Sequence, residues 1–268
     1  METPAPALTE RFLAAVALAE EVHGRVRRAG TQIPYLAHLL VVTGFVLEDG
    51  GDEDEAIAAM LHDSVEDGGG RPLLARIRRS FGPRVAEIVQ ELSDTLEVDP
   101  PDPWITRKER YLESLSRCED VSVLRVGLAD KVHNARSIVR DYRQDGHALW
   151  ERFTEKTARQ QLWYYGGLLS LFERKRPGGM TDDLRRAVEE LAWLVAEDEA
   201  RRSEAVRLWL DPDLHDGQAP EGWVQVRTLP EAQALLDRFR VLELSAAAGV
   251  DLTALSVTDA VTFTTHAS

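Results

Sequence analysis

The chain has 268 residues, 44% of them apolar and 29% charged, with a formal net charge of −14 and a single cysteine. That length predicts one or two domains with a sizeable core, and the acidity argues against a general DNA or RNA binder, which is usually basic. Cys118 alone cannot form an internal disulfide and suits a reducing cytoplasm, METPAPALTE lacks the basic and apolar regions of a secretory signal, and no run of about 18 apolar residues predicts a membrane span.

Residues 8 to about 204 read as helix after helix, rich in Ala, Leu, Glu and Arg and poor in strand-like alternation. Thr9 caps a first helix predicted to run to Gly30. Pro34 opens a second, to Gly50. Asp52 caps a third, DEDEAIAAMLHDSVED, closed by Gly68 to Gly70. Pro72 and Pro83 stand where first helical turns begin. From Glu97 a proline-rich loop, EVDPPDPWITRKER, leads back to helix. Over 121–140, the residues Val121, Leu124, Leu128, Val132, Ala135 and Val139 form one apolar stripe. Long helices follow at 147–176 and 181–204, with a turn at Pro177. After about Ala205 the pattern changes. AVRLWLD, WVQVRT, VLELS and AVTFTTH read as strands and LPEAQALLDRF as a helix, which makes a second, small α/β unit.

The segment LHDSVED places a histidine and three carboxylates on a helix whose other side is apolar. Charge taken out of water needs a partner or a metal. His62 and Asp63 are adjacent, and Glu66 and Asp67 follow each of them by one turn on the same faces. A metal held by the first pair would have the second pair beside its water, an arrangement that serves hydrolysis. Further ligands must come from other helices. Asp130 lies off the apolar stripe yet is flanked by Val123 and Val126, so it needs a cation, and Asn134 follows it by one turn. His38 stands among apolar residues in PYLAHLLVV; alone, such a histidine is more often a core residue than a ligand.

Together the order H…HD…D matches the HD phosphohydrolase superfamily. HGRVRRAGTQIPYLAH (23–38), AAMLHDSVEDG (58–68), RSFGPRVAEIV (79–89) and VGLADKVHNAR (126–136) resemble the hydrolase domain of the RelA/SpoT family and the small stand-alone alarmone hydrolases. An HD pair alone arises by chance; HD followed by ED, then LADKxHN some 60 residues on, is specific. The resemblance covers about residues 8 to 175. It implies a mainly α fold, a multi-helix HD-domain bundle over 1–180, to which the residue pattern adds a linking helix at 181–204 and the small unit at 205–268. It implies His38, His62, Asp63 and Asp130 as ligands of Mn²⁺ or another divalent ion, and Glu66 and Asp67 as the pair that positions and activates water. It places Arg27, Arg28, Lys131, Asn134 and His23 at the substrate, with His23 either lining the pocket or supporting the first helix. Departures from the family pattern are Leu39 in place of its proline, Arg25 and Val26 where it has Gly-Gln, Ala29, and the spacing of Gly30 from Pro34. They touch the base and ribose pocket rather than the ligands.

The implied activity is removal of the 3′-pyrophosphate of (p)ppGpp in the cytoplasm, within the stringent response. The partner is then a small nucleotide, not a nucleic acid polymer or a membrane. The alternatives are hydrolysis of another nucleotide, such as a 3′-phosphorylated dinucleotide cofactor, and a non-catalytic nucleotide sensor or interaction protein. His133 reads as structural. His147, His215 and His266 belong to no constellation. Tyr164 and Tyr165 read as core before base-stacking residues. Acidic neighbours of Cys118 argue against a reactive thiol. RLWLDPD and WVQVRTLPEAQALL resemble a receiver-like module that has lost its acceptor aspartate, which implies docking or self-association.

Overall fold

The computed structural model describes residues 8–93, 102–155, 157–203, 206–210, 223–226, 232–235, 241–247 and 262–266. These fall into two compact units, Met1–Ala192 and Trp193–Ser268.

Among its described residues, the regular elements of the first unit are all helices. Its elements are α1 (Glu10–His23), α2 (Tyr35–Glu48), α3 (Glu53–Leu61), α4 (Ser64–Gly68), α5 (Gly70–Phe81), α6 (Pro83–Leu92), α7 (Trp104–Arg117), α8 (Val121–Asp145), a 3₁₀ segment at Gly146–Arg152 and α9 (Ala158–Lys175). The helix α10 (Gly179–Ser203) begins in this unit and continues into the second. Several starts follow local chemistry. The Thr9 hydroxyl accepts from the Arg11 amide, and Asp52 and Glu55 form a reciprocal capping box at α3. The Asp120 carboxylate accepts from the Ser122 amide at 2.8 Å to start α8.

Helix α3 is the centre of the bundle. Every residue from Glu55 to Leu61 is buried, and α1, α2, α6 and α8 pack around it. Each such Leu, Ile or Met contributes about 1.5–3 kcal/mol relative to exposure. A buried carboxylate in this row, Glu55, is paired with Arg125 of α8, which also donates to Asp49 at 3.0 Å. On α8, Leu124, Leu128, Val132, Ala135 and Val139 are buried as the stripe predicts, while Val121, at the helix start, is exposed. Val123, Val126 and Ala129 are buried as well, so the helix is enclosed on most sides where Asp130 sits.

Four expectations are corrected. The first helix stops at His23, not near Gly30: residues 25–34 form a loop closed by the Arg27–Pro34 bridge, and Gly30 takes φ +68°. The third predicted helix is two helices, broken at His62-Asp63. Residues 147–155 and 157 are not α-helical; a 3₁₀ segment precedes α9. Helix α8 runs five residues beyond Arg140.

In the second unit, β1 (Val206–Leu210), β2 (Trp223–Val226), β3 (Val241–Ala247) and β4 (Thr262–His266) form one sheet in the order β2-β1-β3-β4. Residues 232–235 are helical. The predicted β–β–α–β order is present, and the strand read in AVTFTTH is β4. The receiver-like resemblance is corrected, because β1 is antiparallel to both β2 and β3, and only β3 and β4 run parallel. A doubly wound receiver sheet is parallel.

Candidate metal and phosphate site

Three segments deliver the site. Helix α2 carries His38, the α3–α4 break carries His62 and Asp63, and α8 carries Asp130. The Nε2 atom of His38 lies 3.3 Å from Asp63 Oδ2 and 3.2 Å from Asp130 Oδ1. The Nε2 atom of His62 lies 3.0 Å from Asp63 Oδ2 and 3.5 Å from Asp130 Oδ1. Ligand atoms of His38, His62 and Asp130 all fall within 4.8 Å of one another. The chain break explains why both members of the HD pair reach the same point. On a continuous helix, adjacent residues diverge by about 100°.

The fit to a divalent cation is visible in the ring nitrogens. Both Nε2 atoms are buried and make no hydrogen bond, despite the nearby carboxylate oxygens. The other ring nitrogens are engaged. His62 Nδ1 donates to the Ala59 carbonyl at 2.8 Å, which leaves Nε2 as the lone-pair nitrogen of the neutral ring. His38 Nδ1 is 2.7 Å from His133 Nδ1. Burial, and then the charge of His38, push His133 down to about 3. In the tautomer where His38 Nδ1 donates to His133, the lone pair of His38 Nε2 faces the cluster. Two imidazole nitrogens and carboxylate oxygens, each oriented from behind by a hydrogen bond, are a donor set for a divalent metal. Without a cation, the protein compensates internally. Burial would lower His62, but Asp63 and Asp130 hold it well above its ordinary value. Burial would raise Asp130, but Lys131 and both histidines hold it well below.

A ring of residues supports the cluster. Lys131 Nζ donates to Asp130 Oδ2 at 2.7 Å, and the Asn134 amide donates to Asp130 Oδ1. Arg28 Nη2 donates to Asn134 Oδ1 at 2.8 Å, tying the loop after α1 to α8. The Tyr35 hydroxyl donates to Asp63 Oδ2 at 2.7 Å, and its ring stacks on His23 at 4.9 Å. Burial and the charge of Asp63 push the Tyr35 phenol up, so it remains a donor.

The predicted pair Glu66 and Asp67 divides. Glu66 lines a cavity of about 170 Å³ together with His62, Asp63 and Asp130. Asp67 is 42% exposed and turns toward His23, whose Nδ1 is 3.7 Å away. Burial and the charge of Asp63 push its carboxyl up to about 6. His23 is fully buried between Tyr35, Ser64 and Asp67, and burial pushes it down to about 4. It sits behind the pair and lines neither of the two cavities described in this section.

A second cavity, of about 300 Å³, adjoins the first. Tyr35, Lys108, Lys131 and Asn134 line both. The larger one adds Arg28, Trp104, Arg140, Arg152 and the two tyrosines 164 and 165. Both tyrosines are buried and also border this space, so their core role and their contact with a ligand are compatible. Arg27 is not brought to either cavity: it is exposed and donates to the Gln32 carbonyl. Tyr35, Tyr111, Arg140 and Arg152 line these cavities without having been singled out by sequence. Tyr35 had a signal, one helical turn before His38; Arg140 and Arg152 had none, since their approach depends on how α8 and the 3₁₀ segment meet.

The comparisons with known proteins agree with this geometry. A relative from Xenopus tropicalis, named guanosine-3′,5′-bis(diphosphate) 3′-pyrophosphohydrolase MESH1, is 36% identical over 132 residues, covering 48% of this chain and 70% of the relative. The GTP pyrophosphokinase rsh of Brucella suis is 29% identical over 195 residues, covering 71% of this chain. This chain spans only 23% of that longer protein. Among solved structures, lmo0812 from Listeria monocytogenes aligns with a TM-score of 0.51 at 26% identity, over 59% of this chain and 99% of that one. A structure titled as a metazoan ortholog of SpoT that hydrolyzes ppGpp aligns with a TM-score of 0.50, over 74% of this chain and 98% of that one; at 22% identity it supports the fold. The HD domain family description matches residues 15–157, more than half of the 268 residues and every member of the cluster. The chain belongs to the HD domain family.

Proposed function

We propose that this chain is a metal-dependent phosphohydrolase that removes pyrophosphate from the 3′ position of ppGpp and pppGpp in the cytoplasm, leaving GDP or GTP. The observation that carries the reading is the junction of two cavities. One is walled by the His/Asp cluster and Glu66, the other by cationic and aromatic side chains, and Lys131 and Asn134 stand at both. A nucleotide with a phosphorylated 3′ arm suits such a pair of compartments. The relative named as a 3′-pyrophosphohydrolase supports the same substrate.

In this reading His38, His62, Asp63 and Asp130 hold Mn²⁺. When bound, the ion supplies Lewis acidity to a phosphoryl oxygen and to the hydrolytic water. Glu66 would take the proton of the attacking water as the water oxygen bonds to phosphorus, and would return it to the 3′ oxygen as the bond from phosphorus to that oxygen breaks. Asp67, backed by His23, orients the water. Arg28, Lys108 and Lys131 offset the phosphate charge, and Arg28 does so through a fork suited to paired hydrogen bonds. Asn134 keeps Arg28 and Asp130 in register. Residues 1–180 carry the reaction, 181–204 link, and the unit over 205–268 makes a protein contact.

The test is turnover of ppGpp by the purified chain with Mn²⁺, beside a panel of other phosphorylated nucleotides. Release of GDP and pyrophosphate, lost in Glu66→Gln, is the expected outcome. Cleavage of another nucleotide in place of ppGpp would overturn the substrate, and bound metal without any turnover would overturn the enzyme.

A further inference from the structure

On the face of α8 beyond Arg140 the structure holds a third space, a groove of about 250 Å³ shared with the first half of α10. It lies within the first unit. Its walls carry the guanidinium groups of Arg136, Arg140, Arg143 and Arg186, against two carboxylates, Asp183 and Glu190. Two positive charges are therefore in excess, in a chain whose net charge is −14.

Three of these arginines share one helix face at positions 136, 140 and 143. Like charges at such spacings repel. The existing pairings relieve this only in part. Arg143 pairs with Glu190 and Arg186 with Asp183, but these arginines remain 61% and 70% exposed, and pairs so exposed are worth little. Arg140 pairs with its neighbour Asp141. Arg136 lies over the Phe45 ring at 5.6 Å, with no carboxylate in ion-pair reach among the described residues. The groove is thus a set of planar forks held by weakly committed partners. Planar forks bind phosphate oxygens in pairs, and four of them around this volume match an anion with more acceptor oxygens than a single phosphate offers. Arg140 also lines the cavity that reaches the His/Asp cluster.

We propose that the groove between α8 and α10 is a second anion site, which takes a diphosphate group, and that Arg140 links it to the first site. The group arrives either as free pyrophosphate or as the diphosphate end of a nucleotide. The inference stands on the groove itself and does not need the 3′-pyrophosphohydrolase reading to hold.

The test is a calorimetric titration of the full chain with inorganic pyrophosphate, with chelator present so that no metal contributes. Three variants are compared: Arg136→Ala, which strands no carboxylate; Arg136→Ala with Arg186→Ala; and Arg28→Ala with Lys131→Ala, which weakens the first site. The expected result is a binding event that survives the change at residues 28 and 131. It should weaken at least tenfold in Arg136→Ala, and further in the double groove variant, and fall steeply with added salt. Arg136→Lys keeps the charge and loses the fork, so it should still weaken the event several-fold if the double variant does not fold. Binding abolished by the change at 28 and 131, or unchanged in all groove variants, would overturn the proposal. Parallel titration with GDP identifies the source: equal binding assigns the site to a nucleotide's diphosphate end, and binding of pyrophosphate alone assigns it to the free anion.

Discussion

Glu66 and His133 are the residues at which the proposed chemistry is most exposed to test. Glu66 shares a cavity with three members of the cluster, and the proposal gives it the role of base rather than ligand. Glu66→Gln should therefore keep metal affinity and lower kcat by about 10²–10⁴-fold, the range of a lost general base, as read by steady-state turnover beside metal titration. His133 meets the cluster at His38, whose Nδ1 is 2.7 Å from His133 Nδ1. His133→Phe removes the hydrogen-bond partner that orients His38, and should weaken metal binding by about 10–100-fold. Cys118 has no such role. Burial raises its thiol pKa. Its alkylation at pH 8 should be slower in the folded chain than in the unfolded one, a difference that timed mass spectrometry would show.

At the scale of elements, the decisive feature is the interruption between α3 and α4. It gathers His62 and Asp63 at one point and sends Glu66 toward the cluster while Asp67 turns to His23. The short helix α4 is pressed against α1 at Gly68, where an added Cβ would meet Val22 Cγ1 at 2.4 Å. Gly68→Ala should cost about 1–3 kcal/mol by overpacking and lower activity with it, because α4 carries Glu66 and Asp67. Thermal unfolding and turnover on the same sample would check both. Proline and capping signals marked the helix starts well. The break was not visible in DEDEAIAAMLHDSVED, since every residue there is compatible with a helix and the interruption is set by what packs around it.

For the first unit taken whole, the cluster joins elements far apart in the chain, so ligand binding and stability are linked. A cation bound to the native state alone raises stability by an amount that grows with its concentration over its Kd. Mn²⁺ should raise Tm, a chelator should reverse the rise, and Asp130→Asn should remove most of it, as followed by calorimetry. A second long-range tie is independent of metal. Arg125 of α8 holds the buried Glu55 of α3 and also Asp49 after α2. Arg125→Ala leaves a carboxylate buried and unpaired, and should cost about 3–5 kcal/mol in denaturant unfolding.

The sequence by itself determined the helical class of the first unit's described residues and the starts of most helices, which follow from local periodicity and capping chemistry. The candidate ligands came from the order of HD motifs and the resemblance it carries, with the cost of burying Asp130 without a cation beside it. The sequence also indicated the β–β–α–β order after Ala205, because β-rich runs and turn residues are local signals. Only the tertiary structure decided that Glu66 and Asp67 face different surroundings, that Arg27 stays at the surface while Arg28 reaches Asn134, and that β1 runs antiparallel to both neighbours. It alone brought Arg140 to two cavities at once. The reason is physical: strand direction, a helix break under packing, and the reach of an arginine are set by contacts between segments distant in sequence, and no local preference encodes them.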